Sequence, residues 1–386
     1  MSVDKNGDFT GLILVSAIDK PGITSDVLNT LAQFSVQILD IKQIITGERL
    51  LQTILIKLLP DHALAIESDL LELATNSSID LAIDFSPYVQ NKLQEHAFIT
   101  VVDPQLDPKK IARVATFIHG IKANILDVSF KRLADLTGMT FKFTMEGLNY
   151  EQIQKEIKEM SILENIDLCL STAAFQSSKK LFVFDMDSTL ITQEVIDQLA
   201  IKADKSDEVA QITASAMNGN IDFEESLRKR VALLAGVPET ALNETSSSLT
   251  FNPGVIQTIQ TIREMGHKVA VVSGGFSDVI AEPLAKISID YLYANKLDIA
   301  GASLSGKLTG QIIDGMGKAD ALRKTAELES VSMQNTIAVG DGANDLQMMA
   351  IAGYSFAYNA KEIVKQSAKS TISHSDMRAL ILLLNL

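Results

Sequence analysis

Two aspartates spaced i, i+2 close an apolar run in Leu181-Phe182-Val183-Phe184-Asp185-Met186-Asp187-Ser188-Thr189-Leu190. Four bulky, β-favouring residues in a row predict a short strand buried on both faces. In an extended chain that spacing puts both carboxylates on one side. Ser188 and Thr189 read as loop and helix-cap residues, ahead of a helix carrying Val195, Ile196 and Leu199. Paired acids delivered this way could serve a metal, a nucleophile or acid–base catalysis. A second acidic pair lies in Gly340-Asp341-Gly342-Ala343-Asn344-Asp345. Its i, i+4 spacing would put Asp341 and Asp345 on one helical face, with Asn344 beside them. Four carboxylates at one strand edge repel one another unless a cation sits between them. An all-oxygen set without clustered His or Cys points to Mg2+ rather than Zn2+.

No Gly-rich loop ending in Lys-Ser/Thr occurs, so a phosphate cradle has to be built otherwise. Ser273-Gly274-Gly275, after the apolar run Val269–Val272, offers a hydroxyl and freely oriented backbone N–H groups. Lys318 falls at the start of a predicted helix, where the dipole disfavours a cation. An anion in front of that helix would compensate. A carboxylate with an ordinary pKa of ~3.9 is ionised at neutral pH, so Asp185 needs no base to attack. Asp187 could act as an acid only with a raised pKa, which a neighbouring carboxylate in a closed site produces.

The elements that must position these residues alternate strand and helix from Leu181 onward, the pattern of a doubly wound α/β sheet. Apolar strands at Val269–Val272, Thr336–Val339 and Tyr354–Ala357 end in small or polar residues that can converge on one edge. Residues ~195–260 read as a helical insertion over the site, and residues ~290–313 as a turn-rich β-excursion. Before the linker Gln176-Ser177-Ser178-Lys179-Lys180, two βαββαβ-type (ferredoxin-like) copies are expected. The expected domains are 1–92, 93–174 and 175–386, with the cap at about 195–260. The chain has 386 residues and a net charge of −14, which argues against a nucleic-acid or anionic-membrane surface. One cysteine, Cys169, allows no internal disulfide. The polar N-terminus and the lack of a ~20-residue apolar run fit a soluble cytoplasmic protein.

In order, D-x-D-S-T, S-G-G, Lys318 and G-D-G-x-N-D resemble the haloacid dehalogenase-like phosphatases from about Leu181 to the C-terminus. In spacing and cap, the segment is similar to the branch acting on phosphoserine. That resemblance implies hydrolysis of O-phospho-L-serine to L-serine and phosphate, the last step of serine biosynthesis. It makes Asp185 the nucleophile that becomes an aspartyl-phosphate and Asp187 the general acid, then base. Asp185, the backbone carbonyl of Asp187 and Asp341 would hold Mg2+. Ser273, Gly274, Lys318 and Asn344 would bind the phosphoryl group, with Asp345 supporting Lys318. Glu194 would take the substrate ammonium, Arg230 its carboxylate, and Met217 and Phe223 would form an apolar wall. Both N-terminal copies resemble ACT domains, modules that often bind amino acids at paired interfaces. The family's ligand-proximal turn falls at Asp19-Lys20-Pro21-Gly22. The second copy has Asp103-Pro104-Gln105-Leu106-Asp107-Pro108 there, without glycine. A homodimer and an amino-acid effector at the first copy are therefore expected. Phosphoryl transfer to another alcohol, or a dead phosphatase that senses amino acids, are the competing readings; the intact Asp185, Asp187, Lys318 and Asp341 weigh against the second.

Overall fold

A computed structural model describes residues 9–87, 95–217 and 221–386, with only the backbone described at residue 217. The chain divides into two compact units, Met1–Leu93 and Gln94–Leu386. The first unit holds β1 (Phe9–Ile18), α1 (Ile23–Leu31), β2 (Gln37–Thr46), β3 (Arg49–Leu58), α2 (Ala63–Ser77) and β4 (Asp80–Pro87). Its antiparallel sheet has the order β2-β3-β1-β4. Alternation along β1 turns Ile13, Val15 and Ala17 inward, onto Val27 and Leu31 of α1 and Ile66 and Leu70 of α2. The opposite face leaves Leu12, Leu14 and Leu51 exposed, and every residue of the edge strand β2 is exposed.

The second unit opens with β5 (His96–Val102), α3 (Pro108–Gly120), β6 (Ile125–Leu133), β7 (Leu136–Thr144), α4 (Tyr150–Glu164) and β8 (Asp167–Thr172). Its sheet order, β6-β7-β5-β8, repeats that of the first. In each copy the final strand, β4 or β8, completes the βαββαβ pattern. A short helix α5 (Ala173–Gln176) leads to β9 (Leu181–Phe184), whose four residues are all buried. Helices α6 (Val195–Lys202), α7 (Ser206–Met217), α8 (Phe223–Ala232) and α9 (Thr240–Ser248) follow, then α10 (Val255–Glu264) and β10 (Lys268–Phe276). The chain continues through α11 (Ser277–Lys286), β11 (Tyr291–Ala300), β12 (Ser303–Thr309), α12 (Gly315–Leu328), β13 (Thr336–Gly340) and α13 (Leu346–Ile351). It ends with β14 (Tyr354–Tyr358), α14 (Glu362–Ser367), β15 (Ser370–Ile372) and α15 (Ala379–Leu383).

The seven-stranded sheet runs β12-β11-β10-β9-β13-β14-β15. It is parallel except at β12, which pairs antiparallel with β11. The expected excursion at 290–313 is thus a hairpin, turned by Gly301 and Ala302 at φ 62° and 65°. The chain leaves β9 for β10 on one side and β13 on the other, so a crevice opens at the C-terminal ends of these strands. Because α10 packs on β10, the helical insertion is α6–α9, and α9 lies against α6 and α11. No boundary separates the second antiparallel sheet from the core. Helix α15 is apolar all round, buries all five of its residues and lies against β5, β7 and β8. Asp167 is wholly buried and accepts the Ser373 N–H at 2.9 Å. Among the described residues no helix is long and apolar enough to cross a membrane.

Candidate active site

The apolar strand β9 delivers Asp185 to the floor of a cavity of about 490 Å3, between the strand ends and the α6–α8 helices. Lys318 stands in the first turn of α12, where Asp314 accepts the Gly317 N–H as N-cap. Its anions are carboxylates of the chain itself. Nζ lies 2.5 Å from Asp185 Oδ1 and 2.7 Å from Asp345 Oδ1, and all three side chains are at most 6% exposed. Burial works against the Lys318 charge, yet Asp185 and Asp345 outweigh it and hold the ammonium above its ordinary value. Asp185 goes the other way. Desolvation, then the Asp345 charge, raise its carboxyl well above the usual range, against the pull of Lys318. An ordinary pKa therefore does not describe this nucleophile candidate; its ionisation depends on neighbouring positive charge.

Asp187 lines the cavity, and its Oδ1 accepts the Val195 N–H at 3.0 Å, at the start of α6. Desolvation and then the Glu194 charge push it up to about 7, with that N–H pulling the other way. Ser188 and Thr189 do not cap the helix. Ser188 sits at φ 55° and donates to Glu194 Oε1 at 2.8 Å. Thr189 is buried and donates to Asp341 Oδ1 at 3.0 Å. Capping falls to Asp187, because the chain needs Asp187–Glu194 to climb from sheet edge to helix.

Asp341 and Asp345 are not on one α-helical face. Asp341 precedes and Asp345 ends a 3-10 turn, Ala343–Asp345, in which Asp345 Oδ2 accepts the Gly342 N–H at 3.0 Å. A Cβ at Gly340 would run into the Asp345 carboxylate, so glycine is required for that close approach. Desolvation and Asp345 raise Asp341 to about 6. Side-chain oxygens of Asp185, Asp341 and Asp345 lie within 4.8 Å of one another. The Asp187 carboxylate is outside this group. Lys318 pairs with Asp185 and Asp345, so it sets one positive charge against the three carboxylates. An all-oxygen cluster of that charge fits a hard divalent cation.

Ser273 is wholly buried, and its hydroxyl accepts the Gly275 N–H at 2.8 Å. Gly274 and Gly275 line the cavity. A Cβ at Gly275 would come 2.9 Å from Asp187 Oδ2, so the backbone here passes directly beneath the acid. Asn295 braces the turn from outside, donating to Gly274 O at 2.9 Å and accepting from Ile313 N at 2.8 Å. Glu194, Phe223, Arg230, Asp341 and Asn344 also line the cavity. Lys318, Asp345 and Ser273 lie behind its wall. Met217 ends α7, and its side chain lies outside the described residues. Arg230 is half-buried and donates weakly to Thr213 Oγ1 at 3.5 Å and Ser226 O at 3.4 Å. Asp197 and Lys361 in the lining were not anticipated. Asp197 stands three residues after Glu194, a spacing that could have placed it on the same helical face.

A haloacid dehalogenase-like hydrolase profile matches residues 179–353, and an ACT domain profile matches residues 12–84. The phosphoserine phosphatase SerB2 of Mycobacterium tuberculosis is 34% identical over 383 residues, covering 97% of this chain and 92% of the relative. A probable phosphoserine phosphatase from Vibrio cholerae, solved unliganded, superposes with TM-score 0.61 at 31% identity, over 75% of this chain and 86% of its own. A phospho-aspartyl intermediate analogue of phosphoserine phosphatase gives TM-score 0.51 at 39% identity, over 53% of this chain and 98% of its own. The chain is a phosphatase with a haloacid dehalogenase-like hydrolase domain and an N-terminal ACT domain, and it belongs to the phosphoserine phosphatase family.

Proposed function

We propose that this chain hydrolyses O-phospho-L-serine to L-serine and phosphate, releasing serine as the last step of its biosynthesis in the cytoplasm. The observation that carries this reading is a single cavity lined by two chemically distinct sets of groups. One set is Asp185, paired with Lys318, and the Gly274-Gly275 backbone. The other is Arg230 and Glu194, suited to the carboxylate and ammonium of an amino acid. Phe223 and Ile196 add apolar wall, and Met217 is assigned to the same wall from sequence.

In this reading Asp185 attacks phosphorus and becomes an aspartyl-phosphate, as the phospho-aspartyl analogue of a relative supports. Lys318, Ser273, Gly274 and Asn344 receive the phosphoryl oxygens, with Asp345 holding Lys318 in place. Asp187, raised to about 7, gives its proton to the serine oxygen as the ester bond breaks, then takes one from the attacking water. Asp185, Asp341 and the Asp187 backbone carbonyl would hold Mg2+, which supplies positive charge against the transferring group. The test is phosphate release from a panel of esters with and without Mg2+, alongside Asp185→Asn. A strong preference for phosphoserine, Mg2+ dependence and a loss of several orders of magnitude in the variant are expected. Retention of more than about a tenth of turnover would sink the covalent route.

The first module supports a regulatory role. Gly22, at φ 108°, opens α1 with no side-chain cap, leaving first-turn N–H groups free for a carboxylate. Beside it, Gln52 is 2% exposed and its Oε1 has no hydrogen-bond partner among the described residues, while its Nε2 donates to Thr24 Oγ1 and Gln43 Oε1. The corresponding turn of the second copy is filled from within: Asp107 caps α3, and Asp103 pairs with Lys110 at 2.7 Å. We assign L-serine or a related amino acid to the first module, in a homodimer formed through its exposed apolar sheet face. Calorimetry of L-serine with the full chain carrying Arg230→Ala removes active-site binding. Heat that disappears when Gln52→Leu is added is expected; heat unchanged by it, or none, would leave the module as a dimerisation element.

A further inference from the structure

We propose that Asn252 is a positioning residue for this reaction: its carboxamide gathers the carbonyls of Ser188, Thr189 and Ile191, and so holds the turn that carries Asp187. The inference rests on the reading of Asp187 as the acid for the leaving serine oxygen.

The cap leaves the core just after Asp187 and rejoins it just before α10. Its two crossings lie side by side. Ile191 and Phe251 form an antiparallel bridge, and Thr192 N donates to Thr250 O at 3.0 Å. Within the first crossing, Leu190 N and Ile191 N both converge on Met186 O, at 2.9 and 3.0 Å. That tight turn aims the following carbonyls outward. Leu190 O receives the Asn252 N–H at 2.8 Å. Asn252 Nδ2 lies 3.4 Å from Ser188 O, 2.9 Å from Thr189 O and 3.1 Å from Ile191 O. Two amide hydrogens thus serve three carbonyls of a turn that contains a non-glycine residue at φ 55°. A residue in that conformation persists only where its surroundings over-determine it.

The clamp itself is anchored from behind. Met377 N donates to Pro253 O at 3.2 Å. Gly254, at φ 79°, lies so close to the C-terminal turn that a Cβ would come 2.6 Å from Asp376 Oδ1. Asn252 therefore hangs on a rigid support and transmits that rigidity to the Asp187 turn. Asn252→Asp keeps the shape but turns an acceptor toward three carbonyls.

The test uses the full chain with Asn252→Asp and Asn252→Ser, and Asp187→Asn as reference. O-Phospho-L-serine is compared with p-nitrophenyl phosphate, whose leaving group departs without a proton. Asn252→Asp is expected to lower kcat for phosphoserine about 10- to 100-fold with KM within roughly threefold. The loss on p-nitrophenyl phosphate should be several-fold smaller, and Asn252→Ser, which keeps a donor, should fall between. Should Asn252→Asp fail to fold, the same comparison on Asn252→Ser decides. If Asp187→Asn separates the two substrates but the Asn252 variants lower both equally, or neither, the positioning role is overturned. If Asp187→Asn does not separate them, the acid assignment falls and the inference with it.

Discussion

Replacing Lys318 with methionine removes the cation from beneath Asp185 and Asp345 while keeping most of the side-chain volume. Both ion pairs are short, 2.5 and 2.7 Å, and none of the three side chains is more than 6% exposed. At an effective dielectric of about 20, each pair is worth about 6 kcal/mol of Coulomb attraction. Desolvation of the charges offsets much of that, so the net loss is set by the two carboxylates left buried without a partner. Breaking such a pair costs about 3–5 kcal/mol. The variant should unfold at markedly lower denaturant concentration in chelator at pH 7.5, and should have lost phosphatase activity. The sign with pH follows from Asp185. A carboxyl raised above its unfolded value favours folding when protonated and opposes it as pH climbs from the unfolded value, about 3.9, through the folded one. Without Lys318 that opposition grows, so the deficit should be largest above neutrality and shrink toward pH 5. Adding Asp345→Asn to the variant should restore part of the stability, because one orphaned charge is gone. Denaturant titrations at pH 5 and 7.5, on wild type, single and double variants, measure all three effects. A deficit under about 1 kcal/mol at pH 7.5, or one equal at both pH values, would refute the buried-triad argument.

Other expectations test the substrate end, the acid and the cap hinge. Arg230→Ala should lower kcat/KM for phosphoserine by about 2–4 kcal/mol, since a carboxylate contact is lost in a closed site. A phosphate ester without a carboxylate should be hardly affected, and equal losses would make Arg230 structural. With Asp187 at about 7, turnover of phosphoserine should fall as pH rises through that value, because the proton-bearing form is depleted. Turnover of p-nitrophenyl phosphate should lack that limb; a pH–rate comparison reads the difference. Gly254→Ala should cost roughly 1–3 kcal/mol in a denaturant melt, from the φ of 79° and the contacts with Asp376 and Arg378. A melt within error of wild type would show that the C-terminal turn yields freely.

What could be read along the chain is what each segment does by itself. Leu181–Phe184 has to be buried on both faces because four apolar residues in extended chain leave no polar face, and β9 sits at the centre of the parallel sheet. The strand end at Gly340, and the repeated βαββαβ order of the two N-terminal sheets, follow the same local periodicity, whereas β10 runs past Ser273 to Phe276. The i, i+2 spacing of Asp185 and Asp187 was legible too, and both side chains line one cavity. Only the tertiary structure decided which groups meet. Lys318 pairs with Asp185 across 133 residues, and Thr189 reaches Asp341 across 152, a contact that overrides its expected capping role. Asp341 and Asp345 come together around a 3-10 turn, because Gly340 lets the Asp345 carboxylate fold back against the backbone. The run Ala379–Leu383 has no period and could have been any buried segment; it became the cover of the second antiparallel sheet and joined that sheet to the core. Local hydrophobic pattern sets the type of an element through interactions a few residues long. Coulomb energy and burial at the site depend on distances across the sheet, and those exist only once the strand order is formed.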